Sequence, residues 1–453
     1  MSPSKRLGRP VAKNLPSSAV RREDRFHPDK APDNRLVFQR DRDRILYTTS
    51  FRRLARVTQV VSSDEGHVFH NRLTHSLQVA QVGRRIAEKL QRDFQKSQSS
   101  STLEMDPDVV EAACLAHDIG HPPFGHIAER ELDSIARSIK LSDGFEGNAQ
   151  SFRIVTRLAM GSTDNGLNLT RATLNAILKY PWRYGQNPAK PDKWGSYDTD
   201  KLGFEWARKL GPGARLQSDE ARLMDWSDDV TYSVHDVDDF YRAGVIPLDH
   251  LVVNSEERER FYAGVFARRK GSLPRDMDEL YLRGAFDALM SVLNIREPYK
   301  PTREARVRLR RVTSTLIRDF VNAVQLDFSG GRPQIFIEKR RRAEIFMLKQ
   351  LTWHYVIKNP ALATQQHGQR LIIRQLFNAF YKAGTRKDPN IDFFPISVRE
   401  LLPSLPAKGP IARKQLGRAI IDFISSLTEE QAIATHHRIH GIKLGSSLVF
   451  QVR

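Results

Sequence analysis

The segment HDIGHPPFGHIAE, His117 through Glu129, holds three histidines and two carboxylates within thirteen residues. Imidazole nitrogens and carboxylate oxygens are donors for a divalent ion, and a His–carboxylate pair can move protons. Pro122-Pro123 cannot sit inside a continuous helix. The preceding EAACLA run is therefore expected to end there as a helix, with Ala112, Ala113 and Leu115 inward and Glu111 outward. His117, Asp118 and His121 then fall at its C-terminal end. Beyond the prolines, HIAERELDSIARSI reads as a second helix with His126 and Glu129 one turn apart on the same face. Any one of these histidines is more simply a satisfied core residue. Five ionisable groups around a forced break point instead to a metal or proton-transfer site.

Two further stretches carry residues of the same kind. HNRLTHSLQVAQVGRRIAEKLQRDF has an apolar face of Leu73, Leu77, Ala80, Ile86 and Leu90, which predicts a long amphipathic helix. Arg72 and His75 share one face of it. SDEARLMDWSDDVTYSVHDVDDFYRAG places Asp228, Tyr232 and Asp236 at i, i+4 and i+8, flanked by Met224 and Val234. With Glu220, Asp225, Asp229, Asp238 and Asp239 it is acidic within a basic chain. Two readings stand side by side: a solvated acidic face, or a stripe that supplies a metal carboxylate and ligand contacts.

The elements that must position these residues are mostly helical. Ile45, Leu46, Phe51, Leu54 and Val57 are expected to form one helical face in an arginine-dense segment. Those arginines are either solvated or line an anion site or subunit contact. FEGNAQSFR follows a Gly-rich turn into a helix, and TRATLNAILKYPWRYG is a helix stopped by Pro181. Residues 185–215 read as a partly ordered excursion. From 254 onward the pattern is helical, interrupted where QIFIE suits a short strand. Residues 1–32 read as a flexible basic arm; residues 1–30 carry eight Lys/Arg against three Asp/Glu. The arm is a solvated tail, or it binds nucleic acid or a neighbouring subunit. Residues 33–250 are expected to form the catalytic core, and 251–453 a mainly helical part packed on it that completes the pocket and the oligomer contacts.

A net charge of +19 favours anionic partners without choosing among them. No apolar run reaches the roughly 18 residues of a membrane span, and the basic N-terminus lacks the apolar stretch of a signal peptide. The single cysteine, Cys114, excludes an internal disulfide framework and fits a reducing, cytoplasmic setting; among alanines it reads as a small core residue. No GxxxxGK[ST] phosphate loop is present.

In order, His75, His117-Asp118 and Asp228 resemble the H…HD…D metal site of HD-domain phosphohydrolases. RDRDRILYTTSFRRLARVTQV, NRLTHSLQVAQVGR, HDIGHPPFGH, FEGNAQSFR and DDVTYSVHD together resemble the deoxyguanosine triphosphate triphosphohydrolase (dGTPase) family over roughly residues 35–240. The resemblance implies an all-α fold with an HD-domain helical core, additional C-terminal helices and few short strands. It implies hydrolysis of a deoxynucleoside triphosphate (dNTP) to deoxynucleoside and inorganic triphosphate. It gives His75, His117, Asp118 and Asp228 as ligands of a divalent ion, Mg2+ or Mn2+ first, with Fe, Co or Zn compatible. His126 and Glu129 match the catalytic pair, and His121 a phosphate contact in the same loop. Arg72 matches a phosphate-binding arginine, and Lys179 and Tyr180 match residues near the triphosphate. Gln59, Tyr232 and Asp236 match residues at the sugar. Gly147 stands where some relatives have histidine, so that residue's role does not transfer. The implied partners are a homo-oligomer, of which a hexamer is one form, and a single-stranded nucleic acid or nucleotide effector, with no membrane. An HD-type phosphodiesterase or exonuclease and a non-catalytic nucleic-acid-binding protein are the alternatives.

Overall fold

In the computed structural model, residues 20–29, 33–58, 70–97, 102–160, 166–269, 271–293, 295–329, 332–357, 361–402 and 405–442 are described. The chain runs α1 (Val37–Leu46), α2 (Thr49–Arg53), α3 (Arg72–Lys96), α4 (Pro107–Ala116), α5 (His126–Ser138) and α6 (Gly147–Arg153). It continues through α7 (Arg171–Ala176), α8 (Lys201–Arg208), α9 (Asp219–Arg242), α10 (Leu248–Val253), α11 (Ser255–Arg269), α12 (Glu279–Val292) and α13 (Arg303–Asn322). After a hairpin of β1 (Val324–Asp327) and β2 (Gln334–Ile337) come α14 (Lys339–Leu351), α15 (Ala361–Thr385), α16 (Ile396–Arg399), α17 (Gly409–Ser426) and α18 (Glu429–Ile439). The all-α expectation holds: among the described residues the only sheet is this antiparallel pair, with Val324 opposite Ile337. No helix among them is long and apolar enough to cross a membrane.

Helix α4 is central. Its start is fixed by the Asp106 side chain, which accepts from Asp108 N, and by Pro107 in the first turn. Val109, Val110, Ala112, Ala113, Cys114, Leu115 and Ala116 are all buried, with α1, α3, α7 and α9 packed around them. A helix apolar on nearly every side is stable only when enclosed in this way. The buried face of α3 runs through His75, Val79, Ala80, Ile86 and Leu90. Leu77, expected on that face, is 45% exposed because it points off the stripe.

Two other expectations change. The run from Ile45 to Val57 is not one helix: it breaks at Tyr47, and the Thr48 hydroxyl caps α2 by accepting from Phe51 N. Helix α7 stops at Ala176, so Lys179 and Tyr180 lie in irregular chain before Pro181. A residue preceding proline is disfavoured in the helical region. Residues 20–29 lie against the core: Arg25 pairs with Asp41 at 2.6 Å and bonds the Asn168 carbonyl.

The apolar interior forms two large clusters. One spans α1 to α14; the other joins Phe124, Leu132, Ile135 and Phe145 to Phe377 and Phe380 of α15 and Ile420 and Ile424 of α17. A buried ionic link also ties α6 to α17. Arg153 grips both oxygens of Asp422 at 2.8–3.0 Å and also bonds Asp200. Asp422→Ala leaves that buried guanidinium with Asp200 as its nearest carboxylate and the Thr199 hydroxyl, and is expected to destabilise the protein by about 3 kcal/mol. The measurement is the urea midpoint against that of the unsubstituted chain. An unchanged midpoint would mean the link contributes nothing to stability.

Candidate active site

Three elements converge on the end of α4. His75 comes from the first turn of α3, whose N-cap Asn71 accepts from Thr74 N. His117 and Asp118 follow the last turn of α4, and Asp228 comes from the middle of α9. Asp228 Oδ1 lies 3.0 Å from His75 Nε2 and 3.6 Å from His117 Nε2. One ligand atom from each of these three residues falls within 4.8 Å of the others. Asp118 is not part of that triad but borders it, with Oδ1 3.6 Å from His117 Nε2. Its Oδ2 accepts from Arg72 at 2.6 Å.

The cluster fits a divalent cation. His117 Nδ1 lies 2.6 Å from the Cys114 carbonyl, which fixes its proton there. Nε2 is left as a lone-pair donor, buried and without a hydrogen-bond partner among the described residues. Burial raises the Asp118 pKa, but Arg72, His117 and His121 outweigh it and hold the carboxyl well below its usual range. Asp228 is held well below in the same way: burial opposes, and Lys179 and His117 prevail. Asp229 turns away and pairs with Lys349 at 2.6 Å.

The loop after His117 folds onto α6. A Cβ at Gly120 would lie 2.2 Å from Gly147 O and Ser151 N, so only glycine permits this approach. The Ser151 hydroxyl accepts from Gly120 N and donates to the His117 carbonyl, each at 3.0 Å. The turn then passes through positive φ at Phe124 (65°) and Gly125 (54°) into α5. His126 Nδ1 lies 2.7 Å from Glu129 Oε2, and the His121 and His126 rings meet edge-on at 5.5 Å. Burial raises the Glu129 pKa, but the bond to His126 and the charge of Lys193 carry it well below the usual range. Gly147 N donates to Glu129 Oε1 at 3.3 Å, and a Cβ there would come 3.2 Å from the His121 ring. At Gly147 the chain thus sets a backbone donor against the His126–Glu129 pair.

Of the remaining sequence candidates, Lys179 Nζ binds Asp228 Oδ2 at 2.8 Å and Asp225 at 2.9 Å. The Tyr180 phenol is pushed up to about 12, chiefly by burial. On α9, Tyr232 and Asp236 follow Asp228 on its own face. Asp236 Oδ2 is buried without a partner among the described residues, and burial with Asp239 nearby drives its pKa well above the usual value. Gln59 lies outside the described residues.

Sequence reasoning missed one neighbour, Lys193, and gave two others, Glu146 and Arg53, no definite role. Lys193 Nζ reaches Glu129 at 3.2 Å and Glu146 at 3.0 Å. It comes from the 185–215 stretch, which contains α8 and the buried Trp194 and Tyr197. Two aromatics in a supposed connection were the available signal. Glu146 caps α6 by accepting from Asn148 N and Ala149 N. Arg53, drawn down to about 10 by burial and Arg72, donates to the Ile119 and His121 carbonyls at 2.9 and 2.8 Å.

Behind the site, His235 stacks on His70 at 5.1 Å, and burial, His70 and His75 push its pKa down to about 3. The unfolded chain titrates His235 near 6.5, so between these values it binds a proton that the folded form does not. This contribution is complete above pH 6.5 and is lost as pH falls, by up to about 1.4 kcal/mol per pH unit. His235→Gln should therefore flatten the dependence of the urea midpoint on pH between 6.5 and 4. Parallel curves for the two proteins would refute it.

Comparison with known proteins agrees with this geometry. Residues 72–232, which hold both imidazole clusters, match the HD domain, and residues 335–438 match the phosphohydrolase-associated domain. The class is thus the HD-domain phosphohydrolases. A deoxyguanosinetriphosphate triphosphohydrolase-like protein of Streptomyces coelicolor is 39% identical over 437 residues, spanning 91% of this chain and 95% of its own. Proteins of the same description from Corynebacterium efficiens and Shewanella pealeana are 35% and 30% identical, covering 76% and 96% of this chain and 80% and 99% of theirs. The chain belongs to the deoxyguanosinetriphosphate triphosphohydrolase family.

Proposed function

We propose that the protein hydrolyses dNTPs to deoxynucleoside and inorganic triphosphate with the help of a divalent metal ion. The observation that carries this reading is the placement of two unlike clusters side by side. His75, His117 and Asp228 offer converging lone pairs with Asp118 at their edge, while His126–Glu129 is a proton-transfer pair one turn away. A bound divalent ion would supply Lewis acidity toward a phosphoryl oxygen and toward water.

The protein groups account for the rest. Lys179, Lys193 and Arg72 neutralise phosphate charge, with Tyr180 beside them. Tyr232 and Asp236, with Gln59, hold the sugar, and His121 contacts phosphate. Water attacks the α-phosphorus, the P–O5′ bond breaks, and the triphosphate is released intact. The ionised Glu129 and His126 take the water proton and return it to the 5′ oxygen. The C-terminal part, 251–453, completes the pocket and the oligomer contacts.

Incubation with each dNTP and a divalent metal, followed by chromatography of the phosphate products, tests this reading. Triphosphate is expected; pyrophosphate or phosphate as the first product rules the reaction out. A second reading, a phosphodiesterase or exonuclease with two metals, draws on the His121, His126 and Glu129 group, whose ligand atoms also converge within 4.8 Å. Against it, His126 and the Lys193 ammonium occupy the two oxygens of Glu129. Two metal equivalents per chain would favour the second reading.

A further inference from the structure

One carboxylate far along the chain touches both halves of the site. Glu429, the first residue of α18, accepts through Oε1 from Phe124 N at 3.1 Å and from Thr58 N at 2.8 Å. Its Oε2 accepts from the Thr58 hydroxyl at 2.7 Å. Phe124 is the strained residue of the turn that delivers His126, and its φ of 65° is costly for a side-chain-bearing residue. The Thr58 carbonyl accepts from Arg72 Nε at 3.0 Å, and Arg72 in turn grips Asp118. Glu429 therefore sits between the backbone that aims His126 and the backbone that aims Arg72.

The same corner is secured on either side. The Leu427 carbonyl, between α17 and α18, accepts from Arg53, whose other nitrogen holds the Ile119 and His121 carbonyls. Glu430 pairs with Arg56. Among the described residues only Glu429 bonds to both the turn and Thr58.

We propose that Glu429 is a positioning residue that sets the spacing between the metal-side group, Arg72 with Asp118, and the proton-transfer pair His126–Glu129. It touches no reacting atom; it acts through the Phe124 and Thr58 backbones. This inference rests on the site reading above, so its test includes an arm that needs no substrate.

The contacts dictate an unusual ranking of variants. In Glu429→Gln, the amide oxygen can accept both N–H groups and the NH2 can donate to the Thr58 hydroxyl, so all three bonds survive without the charge. Glu429→Asp keeps the charge at the start of α18 but is one methylene too short to reach both partners. If the carboxylate only stabilised the helix N-terminus, Asp would substitute and Gln would not. Reach predicts the reverse order.

Hydrogen exchange on the full chain reads the clamp directly. Glu429→Ala and Glu429→Asp should speed exchange at the amides of Thr58 and Phe124, with Glu429→Gln like the unsubstituted protein. In turnover, Ala and Asp should lose about 10²-fold in kcat with KM and metal content retained, the scale expected of a roughly 1 Å misplacement. Gln should keep most of kcat. Slow exchange in Glu429→Ala, or equal kcat for Gln and Ala, overturns the proposal. Predicted exchange behaviour in a protein that turns over no dNTP would support the clamp and count against the reaction instead.

Discussion

Glu129→Ala is expected to abolish turnover while the metal stays bound. Glu129 lies outside the His75–His117–Asp228 group, so its loss removes no donor from that cluster. It does remove the carboxylate that orients His126, and it leaves Lys193 paired with Glu146 alone. Loss of a positioned acid–base pair costs about 10²–10⁴-fold in rate. The burial of Glu129 is part of the argument. Glu129 is buried while His126 reaches solvent; the pair can hold a proton only if the carboxylate stays ionised, and His126 and Lys193 keep it so. The check is the initial rate of triphosphate release beside metal content per chain. Metal lost along with activity would move Glu129 into the ligand set. A rate close to that of the unsubstituted protein would remove it from the chemistry.

Much of this site could be read from the sequence because its parts are local. His117, Asp118, His121, His126 and Glu129 lie within a single helix–turn–helix, although α4 already ends at Ala116, ahead of the Pro122-Pro123 pair expected to break it, so Asp118 and His121 belong to the turn and not to the helix end. Asp228, Tyr232 and Asp236 share a helical face by spacing alone, and the structure keeps them on α9. What spacing could not give was depth. Spacing puts Arg72 on one face with His75 but says nothing of its burial; it is 2% exposed and engaged with Asp118 and Thr58. No periodicity surrounds Lys193; its position depends on Trp194 and Tyr197 packing against Ala149 and Trp182, so only those aromatics hinted at it. Glu429 contacts residues 305 and 371 positions away, and pattern within a helix carries no information about such pairs. The all-α class was legible from helical periodicity and the shortage of alternating segments. The second apolar cluster was not, because it forms only when α15 and α17 pack against α5.

Asp228→Ala is expected to lose both metal and turnover, and its neighbour separates this from a general effect of charge. Asp228 Oδ1 faces His75 and His117, and Oδ2 takes Lys179. Without it, two buried imidazoles and a lysine face one another, with Asp225 as the nearest carboxylate to Lys179. That arrangement has lost the triad's only carboxylate donor and leaves the Lys179 charge without one of its partners, so it holds a cation far more weakly. The loss in metal affinity should exceed the roughly 10–100-fold typical of removing a group that merely orients a ligand. Asp118→Ala should also lose both, since one oxygen borders the cluster and the other holds Arg72. Asp229→Ala supplies the contrast. It removes the same charge one residue along the same helix, from a side chain turned toward Lys349. If net charge near α9 governed metal binding, the Asp228 and Asp229 variants would behave alike. If the donor set governs it, only the Asp228 variant empties, and measuring bound Mn2+ per chain for the two proteins decides between these outcomes.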